Sequence, residues 1–249
     1  MSRQVLNEQR FAPGSELTAS RTGERTMTIG GTIAKAFLLL VVTVIFAALG
    51  WRSAAHVLVQ SGLWFFLGYI LLIALTFAAV ANPRLAAGAG LLYAVLMGTW
   101  MGAISRLYEH YYDGVVGQAI FVTLAVFLAC LVLYSLRAVR VTGRFVQVVL
   151  VATFGVAVVY LFAWIMSLFG VDFRFWSDPG NPWGIVISLA VVIIAALNLL
   201  VDFSFIEQGV RNGAPVSMEW YAAFGLLSTL VWLYIEVLRL LIRLRAAQG

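Results

Sequence analysis

Charged residues are scarce in this chain of 249 residues, of which 11% are charged and 63% are hydrophobic. Soluble domains contain about 25% charged and about 45–50% apolar residues, so the composition excludes an ordinary soluble domain. The single cysteine, Cys130, excludes an intrachain disulfide, and the two histidines lack the spacing of a zinc site. We therefore predict a membrane protein without a bound cofactor.

Enzyme motifs are missing as well. The sequence has no G-x-S-x-G, no H-E-x-x-H and no glycine-rich phosphate loop following a strand. The formal net charge of +5 is dispersed over loops and the N-terminal region, which is typical of membrane-protein loops that face an anionic leaflet. We predict that the protein is not an enzyme and does not bind nucleic acid.

Long apolar runs are what the sequence has in abundance. Each of them is near the ~20 residues that cross ~30 Å of hydrocarbon as a helix, and their continuous hydrophobicity excludes the alternating strands of an outer-membrane barrel. The predicted fold class is an all-α polytopic membrane protein with seven transmembrane helices between residues 32 and 245, surrounded by the lipid bilayer. The runs are Thr32–Trp51, Ser61–Ala81, Leu85–Ser105, Val116–Leu136, Phe145–Leu168, Trp183–Phe203 and Trp220–Leu241.

Residues 1–31 are polar and rich in Ser, Thr, Arg and Gly, which predicts a flexible N-terminal tail. A cytoplasmic tail places 10 of the 16 basic residues on the inner side, among them Arg137, Arg140 and Arg144. The basic C-terminal end argues against an odd number of spans, so the side of the C-terminus stays open. The preference for arginine over lysine, with abundant Ala, Val and Gly, is typical of a GC-rich bacterial genome and favours the plasma (inner) membrane.

Two carboxylates, Asp202 and Glu236, lie in or at the edge of the last two apolar runs. A charge at mid-membrane costs ~2.5–3.5 kcal/mol on insertion scales, so such residues mark ion paths, proton relays or buried pairs. Asn198 lies one turn before Asp202 and can donate to it. Each carboxylate belongs to a helical stripe of small and polar residues, which indicates a polar interior path. The stripes are Gly184, Ser188, Ala195, Asn198 and Asp202 on the sixth helix, and Gly225, Thr229, Trp232, Glu236, Arg239 and Arg243 on the seventh.

A structural alternative exists for each carboxylate. Glu236 and Arg239 are spaced i, i+3 and can neutralise one another as a buried pair. Asp202 lies near the inner end of its helix, where Glu207 and Arg211 follow, and can be an interfacial charge. The spacing of Gly98 and Gly102, in turn, predicts close helix packing inside the bundle rather than a dimer face.

The final third of the chain resembles a known family. The segments VDFSFI (201–206) and LYIEVLRLL (233–241) resemble the last two conserved segments of the transmembrane Bax inhibitor motif family. EQGVRNGAP (207–215) followed by EWYAAFGLL (219–227) looks like the bacterial branch of these Bax inhibitor-1-like proteins.

The resemblance implies a pH-sensitive calcium leak through a seven-helix bundle whose last helix is central. It assigns the gate to a proton shared between Asp202, which matches the sixth-helix Asp, and Glu236, at a position where the family usually has Asp. Both acids are then weak, transient contacts for a permeating Ca²⁺. Arg84 lies near the position of an arginine that, in a bacterial member of the family, latches onto the sixth-helix Asp; Arg239 and Glu207 are supporting residues.

One departure bears on this mechanism. Asp202 and Glu236 are about ten residues further apart than the family's pair, so the carboxylates can differ in depth by ~10 Å. A longer sixth helix, or an interfacial segment after Pro215, would absorb the extra residues.

Two other functions compete with the leak. Some relatives are membrane-protease modulators or cell-death suppressors, so a non-conducting regulator that binds other membrane proteins is the alternative. A proton-coupled carrier would share the same carboxylates, but internal repeats and broken helices are lacking.

Overall fold

The computed structural model describes residues 25–53, 62–82, 85–170 and 180–248. This part of the chain forms seven α-helices, and six of them are long and apolar enough to cross a membrane. The predicted all-α membrane class is thus confirmed, while the seventh span, α2, stays a prediction. The helices are α1 (Ile29–Arg52), α2 (Gly62–Ala81), α3 (Ala86–Tyr111), α4 (Val115–Ser135), α5 (Gly143–Leu168), α6 (Pro182–Arg211) and α7 (Ser217–Ala246).

Helix α7 packs against four others, namely α1, α3, α4 and α6. Its side chains Leu233, Glu236 and Val237 are among the most deeply buried in the described chain.

Helix α5 is the opposite case, because apolar side chains such as Val151 and Phe154 are 72% and 71% exposed. A face of this kind is suited to lipid rather than to water.

Helices α1 and α3 approach one another at backbone distance. A Cβ atom added at Gly102 would lie 1.9 Å from the carbonyl oxygen of Ala47, and one added at Gly98 would lie 2.4 Å from that of Thr43. Only glycine permits this approach, since any side chain would overlap the opposite backbone. The prediction that Gly98 and Gly102 pack inside the bundle is confirmed.

The junction of α6 and α7 shows how the extra residues between Asp202 and Glu236 are absorbed. Helix α6 continues to Arg211, eight residues beyond the predicted end at Phe203, and α7 begins at Ser217 after a short turn. Gly213 adopts a left-handed φ of 63°, which reverses the chain. The longer sixth helix therefore absorbs part of the extra residues, and α7 follows it after a short turn without an interfacial segment.

Residues 25–28 form what we call the N-terminal strap, which lies across the α6–α7 turn. Thr26 pairs with Pro215 in an antiparallel bridge, and Met27 N donates to Ala214 O at 2.7 Å. Met27 is only 2% exposed, and its sulfur packs over Gly209. Residues from 25 onward are thus part of the packed structure, although the sequence prediction placed them in the tail; residues 1–24 lie outside the described residues.

An ion pair fastens the strap. Glu219 accepts from Lys35 Nζ at 2.5 Å, from Thr28 N at 2.8 Å and from Thr28 Oγ1 at 2.9 Å. Thr28 also caps α1, which begins at Ile29, three residues before the predicted start. We call this end of the bundle the strap end, and the opposite end, where α3 and α7 end, the distal end.

Glu219→Gln is expected to lower the free energy of unfolding by about 1–3 kcal/mol, because it leaves the largely buried Lys35 without its charge partner. Thermal unfolding of purified protein in detergent would measure the loss, and trypsin cleavage after Arg25 should become faster. Glu207→Gln is the matched control, since its ion pair with Arg211 has side chains 38% and 67% exposed and should contribute about 0–1 kcal/mol. Equal effects of the two substitutions would contradict a fastening role for Glu219.

Candidate functional site

Asp202 lies on α6 and faces the small residues of α7. A Cβ atom added at Gly225 would be 3.9 Å from Asp202 Oδ1, and the Thr229 side chain lies beside the carboxyl group. The other oxygen, Oδ2, is buried and has no hydrogen-bond partner among the described residues. An unpaired polar atom in such a place is costly, which makes Asp202 a candidate functional residue.

Glu236 lies further along α7 in a contrasting environment. Its side chain is 0% exposed, and Tyr160 of α5 donates to both carboxylate oxygens at 2.8 and 2.9 Å. Trp232 Nε1 donates at 3.2 Å, and Arg239 Nη1 forms an ion pair at 3.1 Å. We call these four residues the Glu236 cluster.

Arg239 also contacts Tyr160 directly, which links the members of the cluster. Its Nη1 donates to the phenol oxygen at 2.6 Å, and its guanidinium carbon lies 5.0 Å from the centre of the tyrosine ring. The contact combines a hydrogen bond with a cation–π interaction. The i, i+3 pair between Glu236 and Arg239 is therefore present, with Glu236 fully buried and the Arg239 side chain 35% exposed.

The structure does not bring Asp202 and Glu236 together. Asp202 packs at the level of Gly225 and Thr229, and Glu236 follows Thr229 by seven residues, which is about 10 Å along a helix. The partners of Glu236 are on α5 and α7, and no hydrogen bond joins the two carboxylates in the described chain. The expected proton-sharing pair is thus corrected to two separate sites, because Asp202 lies nine residues before the end of α6 whereas Glu236 lies nineteen residues after the start of α7.

The supporting residues are also placed apart from Asp202. Asn198 donates to Thr153 Oγ1 at 2.8 Å and to Ile194 O at 2.9 Å, since it faces α5 rather than the next turn of its own helix. Glu207 accepts from Tyr134 and from Arg211. Arg84 lies outside the described residues, so its expected role as a latch stays a prediction.

Sequence reasoning missed the partners of these carboxylates. Tyr160 lies in a run of valine and leucine, where its hydroxyl is the one polar group of the local helix turn. Lys35, the single lysine of the chain, enters the sequence prediction only as an inner charge, although its place inside the first apolar run already indicates a partner. The sequence does not identify the partners of Tyr160 and Lys35, because the pairs join helices far apart in sequence.

The acidic residues do not form a preassembled metal site. Within the described ranges, no group of three or more His, Cys, Asp or Glu side chains converges. Ca²⁺ takes six to eight oxygen ligands, so a single carboxylate at each level offers only weak contact.

Comparison with known proteins gives one match. A family model described as Bax inhibitor 1 like matches residues 4–246, which is nearly the whole chain. No curated protein and no solved structure matches the chain.

Proposed function

The chain belongs to the Bax inhibitor 1 like family, and we propose that this multi-helix membrane protein is a pH-sensitive calcium leak of the plasma (inner) membrane. In this proposal seven helices span the bilayer around α7, the N-terminus is cytoplasmic, and Ca²⁺ and protons act on the stripe of polar groups along α7. Asp202 and Glu236 act at two levels of one path and not as one pair.

The buried, unpartnered Oδ2 of Asp202 carries the proposal. A neutral carboxyl group fits against Gly225 and Thr229, whereas an ionised one in the same place lacks both water and a counter-charge. Ionisation therefore favours any arrangement in which α6 and α7 separate and water or a cation reaches the carboxylate. Proton binding and opening are thereby linked through a single residue.

The Glu236 cluster is the second barrier in this proposal. Arg239 neutralises Glu236, and a cation moving along the α7 stripe meets a charge pair with no net attraction for it. Passage requires Arg239 to turn away, after which Glu236 offers two oxygens to the cation. The cation contacts first Asp202 and then Glu236, so that it is bound weakly at each of the two levels. A leak requires such weak binding.

Flux into liposomes tests the proposal. With purified protein and a calcium dye inside the vesicles, we expect flux to rise on the order of tenfold from mildly acidic to mildly alkaline pH, which corresponds to about 1.4 kcal/mol of gating free energy. Asp202→Asn removes the ionisable group while nearly keeping its shape, so its flux should stay low and change less than about twofold, under 0.5 kcal/mol, over the same range.

Glu207→Gln is the control for this experiment, because it removes another carboxylate of α6 that pairs with Tyr134 and Arg211 at the strap end. Its pH response should match that of the unmodified protein. An Asp202→Asn variant with an unchanged pH response would overturn the role of Asp202. Vesicles that stay calcium-tight at every pH would overturn the leak itself and favour the regulator that binds other membrane proteins.

A further inference from the structure

A cavity of ≈180 Å³ lies between α3 and α7, away from Asp202. One part of its wall is apolar and is formed by Met97, Trp100 and Met101. Another part is polar and includes Ser105, Tyr234 and Arg239. A largely apolar pocket with a few convergent polar groups is the usual form of a small-molecule site.

The two parts of the wall follow the polarity of a bilayer leaflet. Ser105 lies six residues before the end of α3, about 9 Å from the distal end, and Met97 lies fourteen residues before it, about 21 Å deep. Arg239 lies seven residues before the end of α7, about 10 Å from the same end. Ser105 and Arg239 thus lie nearer the distal end than Met97, Trp100 and Met101, and the Tyr234 hydroxyl lies at the level of Ser105. This is the order of head group and chain in a lipid.

The polar part contains a buried hydroxyl pair with a donor to spare. Ser105 Oγ and Tyr234 OH are 2.7 Å apart, and the two residues are 5% and 8% exposed. Two hydroxyl groups carry two protons, and their mutual hydrogen bond uses one of them. No other acceptor contacts the pair among the described hydrogen bonds, so the second proton can be donated to an acceptor that enters the cavity.

We propose that this cavity binds the acyl chain of an anionic amphiphile, with its head group at Ser105, Tyr234 and Arg239 and its chain along Met97, Trp100 and Met101. The hydroxyl donor selects a head that accepts hydrogen bonds, and a negative head can share the guanidinium of Arg239 with Glu236, since the arginine side chain is 35% exposed. The volume suffices for the first part of a chain, since an apolar cavity of about 150 Å³ takes up benzene. The site is separate from the proposed role of Asp202 and does not depend on it.

Fluorescence quenching by a brominated fatty acid tests the site directly. Myristate brominated near its carboxyl end, added to the purified full-length protein in detergent, should quench the emission that Trp100→Phe removes. The matching brominated alcohol, which has no charge, should bind on the order of tenfold more weakly, or about 1.4 kcal/mol. Brominated phosphatidylglycerol, tested in the same way, distinguishes a membrane lipid from a free fatty acid as the source of the anionic head.

Two variants separate a site from general detergent partitioning. Met101→Trp fills the cavity and should abolish saturable quenching, whereas Leu131→Trp, at a position of α4 that is 41% exposed, should leave it intact. Tyr234→Phe removes a head-group hydroxyl and should weaken the binding of acid and alcohol alike, because both heads accept a hydrogen bond. Equal quenching by acid and alcohol, or an unchanged dissociation constant in Met101→Trp, would overturn the proposal.

Discussion

Replacing Gly102 with alanine is expected to lower the free energy of unfolding by about 3 kcal/mol, at or above the upper end of ordinary overpacking. The added Cβ would lie 1.9 Å from the carbonyl oxygen of Ala47 and 2.7 Å from its carbon. Both are backbone atoms of α1, so no side-chain rotation relieves the overlap and the two helices must separate. Gly102→Val, with two more carbons at the contact, should prevent assembly altogether. Thermal unfolding and the monodisperse fraction in size-exclusion chromatography would measure these effects.

Gly88→Ala on the same helix is the matched control for this substitution. Nothing lies within 4 Å of a Cβ atom added at Gly88. Alanine is the better helix former by up to about 1 kcal/mol, so this variant should be neutral or slightly stabilised. If Gly102→Ala proved as mild as Gly88→Ala, the close contact of α1 and α3 would be refuted. A change in oligomeric state without loss of stability would instead place the glycines on a dimer face.

The helices themselves were predictable from sequence for a simple physical reason. In a bilayer every backbone group must be satisfied within its own segment, so a long apolar run has little choice but to be a helix. The glycine contact was predictable too, because small residues at i, i+4 on an apolar helix have few uses besides close packing. The helix ends were less predictable. Helix α6 continues to Arg211 because polar residues past the apolar run still favour helix where water can reach them.

The polar contacts were predictable only where they are local. The Glu236–Arg239 pair follows from i, i+3 spacing on one helix, which sequence shows directly. The contact of Asp202 with Thr229, by contrast, depends on how far α6 slides along α7, and a shift of one turn moves a carboxylate by about 5 Å. Tyr160 and Lys35 are visible as polar groups in apolar runs, but their partners are 76 and 184 residues away. Pairing across such distances is set by the packing of the whole bundle.

The Glu236 cluster leads to the second large effect: Arg239→Met is expected to lower the free energy of unfolding by about 3 kcal/mol. Methionine keeps much of the length and apolar surface of the side chain but removes the positive charge. Glu236, at 0% exposure, would then keep Tyr160 and Trp232 as donors but would have lost its paired cation. Loss of one partner of a buried pair is costly because the remaining charge has no solvent to compensate it.

The double variant Glu236→Gln/Arg239→Met decides whether this cost comes from the orphaned charge. Glutamine removes the charge and still accepts from Tyr160, so the double variant should recover at least about half of the stability lost in Arg239→Met, as expected when both members of a buried ion pair become neutral. Arg211→Met, which breaks the exposed pair with Glu207, is the control and should cost less than about 1 kcal/mol. Unfolding measured in detergent for Glu236→Gln, for Arg239→Met and for the double variant gives the coupling energy of Glu236 and Arg239. Simple additivity would mean that the pair is held by packing alone, and in that case Arg239 would be a poor barrier to a cation on the α7 stripe.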